Sequence, residues 1–104
     1  MTRLDGRALR RRHMMETDYI VVGSGPAGAS AARELALSGA DVVVVEAGPW
    51  VDPTEFPLSA LASMSTHYRS WGTTVVAGSA PVPYLQGKMV GGSSPINGAI
   101  CWRT

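Results

Sequence analysis

The chain has 104 residues, which is enough for one small domain built around a single hydrophobic core. Nine Lys and Arg against eight Asp and Glu give a net charge of +1, which argues against a nucleic-acid partner or a membrane surface as partner. No run approaches the ~18 apolar residues of a membrane-spanning helix, and the single cysteine, Cys101, suits a reducing compartment, so we expect a cytoplasmic protein.

The first 16 residues form a basic leader, in which residues 1–13 carry five arginines and one aspartate. An export signal needs an apolar stretch of about 7 to 15 residues after its arginines. Here Arg12 is followed by His13 and two methionines, so we expect a disordered tail rather than an export signal. The alternative is that translation starts at Met14 or Met15.

Residues 19–45 are predicted to form a strand, a helix and a second strand. Tyr19–Val22 is a short β-branched run, typical of a strand buried on both faces of a parallel sheet. Strong helix formers begin at Pro26, and Gly39 supplies a C-terminal stop. Four consecutive valines, Val42–Val45, predict the second buried strand. This order predicts a βαβ unit and an α/β fold.

Three glycines at G-x-G-x-x-G spacing follow the first strand. Gly23 permits a tight turn, Gly25 lets backbone N–H groups approach a pyrophosphate, and Gly28 lets the helix pack closely on the strand. Because the helix N-terminus is itself electropositive, we expect a diphosphate to bind there without a basic side chain. A glycine-rich turn in some other α/β unit is the alternative interpretation.

An acid follows the second strand at the distance expected of a nucleotide-binding unit. Glu46 lies 18 residues beyond Gly28, close to the ~20 of an acid that accepts hydrogen bonds from an adenosine ribose. Its charge would repel a ribose 2′-phosphate, which disfavours NADP. These features predict a ligand that contains ADP, and they leave FAD and NAD both open.

The middle of the chain predicts smaller elements. We expect a short amphipathic helix over residues 57–68 and a hairpin with strands over residues 73–76 and 82–85. His67 falls at the end of that helix, where we expect a solvated or capping side chain rather than a proton acceptor. The tryptophans are expected to pack against the core: Trp50, Trp71 and Trp102.

A second glycine cluster, "GKMVGGSSPINGAICWR", occupies residues 87–103. Gly/Ser runs are usually flexible linkers, but this one is bracketed by the apolar Met89 and Val90 and by further apolar residues. Adjacent glycines give backbone amides access to an anion, and the Asn97 amide can both donate and accept. We interpret the cluster as a second loop that contacts the cofactor, with a linker as the alternative.

Together, residues 21–49 and 87–103 resemble the N-terminal FAD-binding region of the GMC oxidoreductases, the glucose–methanol–choline family. The second segment matches one of the family's two sequence patterns, and Asn97 falls on the asparagine of that pattern. The resemblance covers residues 17–104. It implies a partial Rossmann-like FAD/NAD(P)-binding domain, incomplete, in which a βαβ unit is joined by a short helix and a β-hairpin.

The resemblance also implies which residues contact FAD. In the first segment they are Gly23, Ser24, Gly25, Pro26, Ala27, Gly28, Glu46 and Ala47, and in the second Val90, Gly91, Gly92, Ser93, Ser94, Asn97, Gly98, Ala99 and Ile100. Some family members attach FAD covalently through a histidine just before the asparagine. This chain has Ile96 there, so we predict a non-covalent, dissociable flavin.

In the chemistry typical of the family, a small alcohol loses its hydroxyl proton to a histidine base and its hydride to flavin N5. Family members are several times longer, and their catalytic histidine and substrate domain would lie beyond Thr104. We therefore assign no catalytic residue and no metal site, and we expect the isolated chain to be inactive. The alternatives are a non-catalytic FAD- or ADP-binding module and the N-terminus of an NAD-linked dehydrogenase, which would leave the second glycine cluster unexplained.

Overall fold

The computed structural model describes residues 2–9 and 12–97. Within these ranges the chain forms two α-helices and four strands, and neither helix is long and apolar enough to cross a bilayer. In chain order they are β1 (Tyr19–Val22), α1 (Pro26–Leu37), β2 (Val42–Val45), α2 (Ala60–His67), β3 (Val75–Val76) and β4 (Val82–Pro83). Short 3-10 turns lie at Gly6–Ala8, Pro53–Glu55, Arg69–Gly72 and Ser94–Ile96.

The predicted βαβ unit is confirmed. β1 and β2 pair in parallel, with Tyr19 opposite Val42 and Val22 opposite Val45. α1 packs against both strands. The helix begins at a proline, whose missing N–H costs nothing in a first turn, and it ends near Gly39, which adopts a φ of +92°. The observed topology is that of a partial Rossmann-like α/β fold.

The expectation that the strands are buried on both faces is wrong for the described residues. Val21 faces α1, because a Cβ placed on Gly28 would lie 3.4 Å from its Cγ1 atom. Ile20 and Val22 alternate to the opposite face and are 65% and 84% exposed. The reason is that α1 covers one face of the two-stranded sheet, and no described segment covers the other.

The helix and hairpin of the second half are confirmed with shorter bounds. α2 begins three residues later than the predicted residue 57, after the N-cap Ser59. β3 and β4 pair antiparallel, with Val75 opposite Pro83. An additional antiparallel bridge joins Tyr68 to Gly87, so the segment after the hairpin returns along the end of α2.

His67 is not solvated, contrary to expectation, because that returning segment covers it. Its side chain and that of Met89 are each 1% exposed, the most buried of the described part. The His67 ring meets Phe56 edge-on with centroids 4.8 Å apart, and its Nδ1 atom lies 3.2 Å from the Thr66 hydroxyl. The carbonyl of His67 accepts a hydrogen bond from the Lys88 N–H at 2.7 Å.

The expectation that the tryptophans pack in the core is also wrong for the two that the structure describes. Trp50 is 53% exposed, and its ring lies 5.4 Å from the guanidinium carbon of Arg3 in the leader. Trp71 is 58% exposed and sits in a tight turn with a φ of +58°. Trp102 lies outside the described residues. The division into a leader and a domain from residue 17 stays a prediction.

Candidate nucleotide-binding site

The first glycine motif forms the tight turn between β1 and α1. Gly23 has a φ of +94°, and its N–H donates to the Val45 carbonyl at 2.8 Å. A Cβ on Gly28 would collide with the Gly23 carbonyl oxygen, so the predicted close packing of helix on strand is confirmed. Gly25 is the N-cap of α1 and provides no side-chain cap, so the first N–H groups of the helix remain available to an anion.

Glu46 ties the end of β2 to this turn. One carboxylate oxygen accepts hydrogen bonds from the Ser24 N–H at 2.9 Å and the Ser24 hydroxyl at 2.8 Å, and the other accepts from the Gly48 N–H at 2.8 Å. Partial burial raises the pKa of Glu46, but these hydrogen bonds outweigh it and hold the pKa below its usual range. The lowered pKa keeps the Glu46 carboxylate ionised at neutral pH, so it places a negative charge at this site.

The second glycine cluster packs directly against the first motif. The Gly91 N–H donates to the Ser24 hydroxyl at 2.9 Å, across 67 positions of sequence. A Cβ on Gly92, whose φ is +62°, would lie 3.0 Å from the Gly25 Cα. The loop is anchored by a hydrogen bond of 3.0 Å from the Val90 N–H to the Pro49 carbonyl. The glycines therefore let two backbone segments meet, which a free linker would not require.

A cavity of about 380 Å³ opens where these segments meet. Five of its lining residues were predicted as site residues: Gly23, Gly25, Glu46, Ala47 and Gly92. The others are Val22, Val45, Arg69, Gln86 and Gly87. Its size falls within the ~300 to 1,000 Å³ typical of small-molecule sites. A larger groove of about 510 Å³ lies at the opposite end of the sheet, but it is more open and includes no part of the glycine motif.

The remaining predicted residues that the structure describes are not among those that line the cavity. Ser24 donates a hydrogen bond to the lining residue Glu46, and Gly91 donates one to Ser24 and precedes the lining residue Gly92. Ser93 uses its hydroxyl to accept the Gly87 N–H at 2.9 Å, and the Asn97 side-chain amide donates to the Ser94 carbonyl at 2.5 Å. Pro26, Ala27 and Gly28 begin α1, and Val90 precedes the turn. Gly98, Ala99 and Ile100 lie outside the described residues. The ligand contacts of all these residues stay predictions.

Arg69 is the charged residue among the lining residues that sequence reasoning missed. We expected a diphosphate site without a basic side chain, yet Arg69 lines the same cavity as Gly23 and Gly92. Its Nε atom is buried and has no hydrogen-bond partner among the described residues. No local motif identifies this residue, because its position depends on a long-range pairing in which its N–H donates to the Gln86 carbonyl at 2.8 Å.

Comparison with known proteins identifies the family. A family model described as FAD dependent oxidoreductase matches residues 18–72, from the start of β1 through α2 and the turn that follows it. This chain belongs to the FAD-dependent oxidoreductases. FAD is thus the cofactor, and the NAD-linked alternative left open by the first motif is not supported.

Similar FAD-dependent oxidoreductases confirm the GMC resemblance. An uncharacterized GMC-type oxidoreductase of Sinorhizobium fredii is 34% identical over 98 residues, which cover 94% of this chain and 19% of the relative. Another, from Mycobacterium tuberculosis, is 41% identical over 90 residues, covering 83% and 14%. An oxygen-dependent choline dehydrogenase of Sinorhizobium medicae is 34% identical over 100 residues, covering 83% and 17%. The chain spans less than one fifth of the length of these relatives.

The cavity fits the diphosphate part of an FAD on three observations. Nothing lies within 4 Å of the position of a Cβ on Gly25, so a ligand can approach the backbone there. The start of α1 is free of a side-chain cap. Arg69, another lining residue, is cationic and forms no ion pair among the described residues. Open backbone, helix terminus and cationic donor together form a surface that favours an anion.

Proposed function

We propose that this chain binds FAD non-covalently and forms the dinucleotide-binding part of an oxidoreductase that acts on the CH–OH group of a small alcohol. The observation that carries the proposal is the hydrogen bond from the Gly91 N–H to the Ser24 hydroxyl, which brings both glycine-rich segments to one cavity. The names of the relatives, which include choline dehydrogenases, support an alcohol substrate.

The proposed roles follow from the chemistry of each part of the site. The turn at Gly23 and Gly25 and the first N–H groups of α1 would hold the diphosphate. Glu46 would accept a hydrogen bond from the adenosine ribose, and its charge would disfavour a 2′-phosphate. Gly91 and Gly92 would continue the wall toward the flavin end. When bound, FAD would supply a two-electron acceptor at N5.

We further propose that residues 1–104 bind the flavin without oxidising an alcohol. Among the described residues, the ionisable side chains that line the cavity are Glu46 and Arg69. The first is already engaged in hydrogen bonds that lower its pKa, and the second is a guanidinium, which has donors and no acceptor, so neither suits the removal of an alcohol proton. A cytoplasmic location, favoured by the single cysteine, is also part of this proposal.

The proposal is tested by titrating the 104-residue chain with FAD, FMN and NADP and following flavin fluorescence and calorimetric heat. We expect FAD to bind, and FMN, which lacks the adenosine, and NADP, which carries the 2′-phosphate, each to bind at least about tenfold more weakly. Absence of FAD binding would refute the proposal. Equal affinity for FAD and FMN would show that the cavity does not hold the ADP part.

A second experiment addresses the catalytic claim. Primary alcohols, choline included, are added anaerobically to the FAD complex, and the flavin absorbance is recorded. We expect no bleaching, and bleaching would contradict the claim that these residues do not suffice for oxidation. Reading the nucleotide sequence past the codon of Thr104 then separates the alternatives. A continuing frame with a histidine-containing region favours the oxidoreductase, whereas an immediate stop favours a non-catalytic FAD- or ADP-binding module.

A further inference from the structure

We propose that Arg69 is a binding residue for the diphosphate of FAD, supplying a cationic contact from the cavity wall. This inference rests on the proposed function, because it takes the cavity to hold the ADP part of the cofactor. Arg69 lines that cavity together with the glycine motif and the second glycine loop. It lies in a 3-10 turn after α2, outside both glycine-rich segments.

The backbone of Arg69 is fixed while its side chain keeps an unused donor. The Arg69 N–H donates to the Gln86 carbonyl at 2.8 Å, and the neighbouring Tyr68 bridges to Gly87, which is buried beside the cavity. The Nε–H is buried, and no residue in the described part of the chain accepts a hydrogen bond from it. Buried donors in native proteins are nearly always paired. Because Arg69 also lines the cavity, a ligand bound there is the candidate partner for its guanidinium.

The charged neighbours do not supply that partner. Glu46 lines the same cavity, but its carboxylate accepts three hydrogen bonds from Ser24 and Gly48, and no ion pair joins it to Arg69 in the described part of the chain. Arg7 and Arg33, in contrast, each pair with an acidic side chain nearby. A guanidinium presents a planar fork of donors that matches phosphate oxygens. Diphosphate is therefore the ligand group that fits Arg69.

The experiment compares Arg69→Gln with Arg33→Gln, which removes the same charge from an exposed position on α1. Each variant and the unchanged 104-residue chain are titrated with FAD, ADP and adenosine at low and high salt. For Arg69→Gln we expect the affinity for ADP and FAD to fall at least about tenfold, equivalent to ~1.4 kcal/mol, with adenosine unaffected. The ADP affinity of Arg69→Gln should also fall less between low and high salt than the ADP affinity of the unchanged chain does. Arg33→Gln should leave all three affinities unchanged.

Several outcomes would overturn the inference. One is an equal loss of affinity for ADP and adenosine in Arg69→Gln, which would indicate a packing role; another is an unchanged affinity for ADP. Circular dichroism checks that the variant folds. If Arg69→Gln does not fold, the test uses Arg69→Lys, which keeps the charge, together with the unchanged chain. The salt dependence of ADP binding is then compared with that of adenosine binding in each protein. If ADP binding is no more salt-dependent than adenosine binding in both proteins, the inference is overturned. If the unchanged chain binds neither FAD nor ADP, the proposed function itself fails.

Discussion

The hydroxyl of Ser24 connects the two glycine-rich segments, and its removal should therefore loosen the site. It donates to a carboxylate oxygen of Glu46 at 2.8 Å and accepts from the Gly91 N–H at 2.9 Å. Ser24→Ala deletes both bonds but keeps the backbone bond from the Ser24 N–H to Glu46. A hydrogen bond to a charged group contributes ~1.5 to 3 kcal/mol and a neutral one ~0.5 to 1.5 kcal/mol. The lower ends apply at this partly exposed site, which gives a loss of ~2 kcal/mol in the free energy of unfolding.

Urea denaturation of the 104-residue chain measures this loss. The matched control is Ser65→Ala on α2, whose exposed hydroxyl donates to the Ala62 carbonyl at 2.8 Å and touches neither glycine segment. We expect the control to change the free energy of unfolding by less than ~0.5 kcal/mol. If Ser24→Ala and Ser65→Ala unfold at the same urea concentration with the same slope, the Ser24 hydroxyl does not hold the two segments together.

Three further predictions concern the same site. Gly28→Ala should lower the free energy of unfolding by ~2 kcal/mol or more in urea denaturation, because the added methyl group would displace α1 from the Gly23 carbonyl; unchanged stability would show that the helix shifts at no cost. Since the folded pKa of Glu46 is lowered, its stabilisation is complete above the unfolded pKa of about 4.3 and is lost as the pH falls through the folded value. Glu46→Gln should thus lose less stability than the unchanged chain between neutral pH and about pH 3, and an equal loss would contradict the hydrogen-bonded role of the carboxylate. Because Ile96 offers no nucleophile, acid precipitation of the FAD complex should release the yellow colour into the supernatant, and colour in the pellet would reveal a covalent bond.

The βαβ unit was predictable because every signal for it is local. Tyr19–Val22 and Val42–Val45 are short β-branched runs, and the glycine spacing sets the turn between the first strand and the helix. The role of Gly28 also follows from spacing alone, since a helix that starts two residues earlier must bring that position onto the strand. Only the predicted burial of the two strands on both faces was wrong for the described residues. The sequence pattern of a strand does not reveal whether a second layer covers its other face.

The environment of His67 and Arg69 was not predictable in this way. Both depend on the pairing of Tyr68 with Gly87, which joins residues far apart in the sequence through backbone hydrogen bonds. Read locally, "THYRS" is the polar end of a helix, and such ends are usually solvated. The return of the chain over this end buries His67 and places Arg69 on the cavity wall. The returning segment also begins the second glycine cluster, in which the Gly87 N–H donates a hydrogen bond to the Ser93 hydroxyl.

Glu46 and Arg69, the charged residues described in the cavity lining, differ in whether their side chains already have hydrogen-bond partners in the protein. Glu46 accepts hydrogen bonds from Ser24 and Gly48, and these hold its carboxylate in the ionised form. Arg69 has a fixed backbone and a buried Nε–H that has no partner among the described residues. A ligand with hydroxyl donors at one place and anionic oxygens at another satisfies both residues, as a ribose joined to a diphosphate does. A phosphate group beside Glu46 would instead meet a like charge, so the order of the two charges along the wall would select the orientation in which an adenosine diphosphate enters.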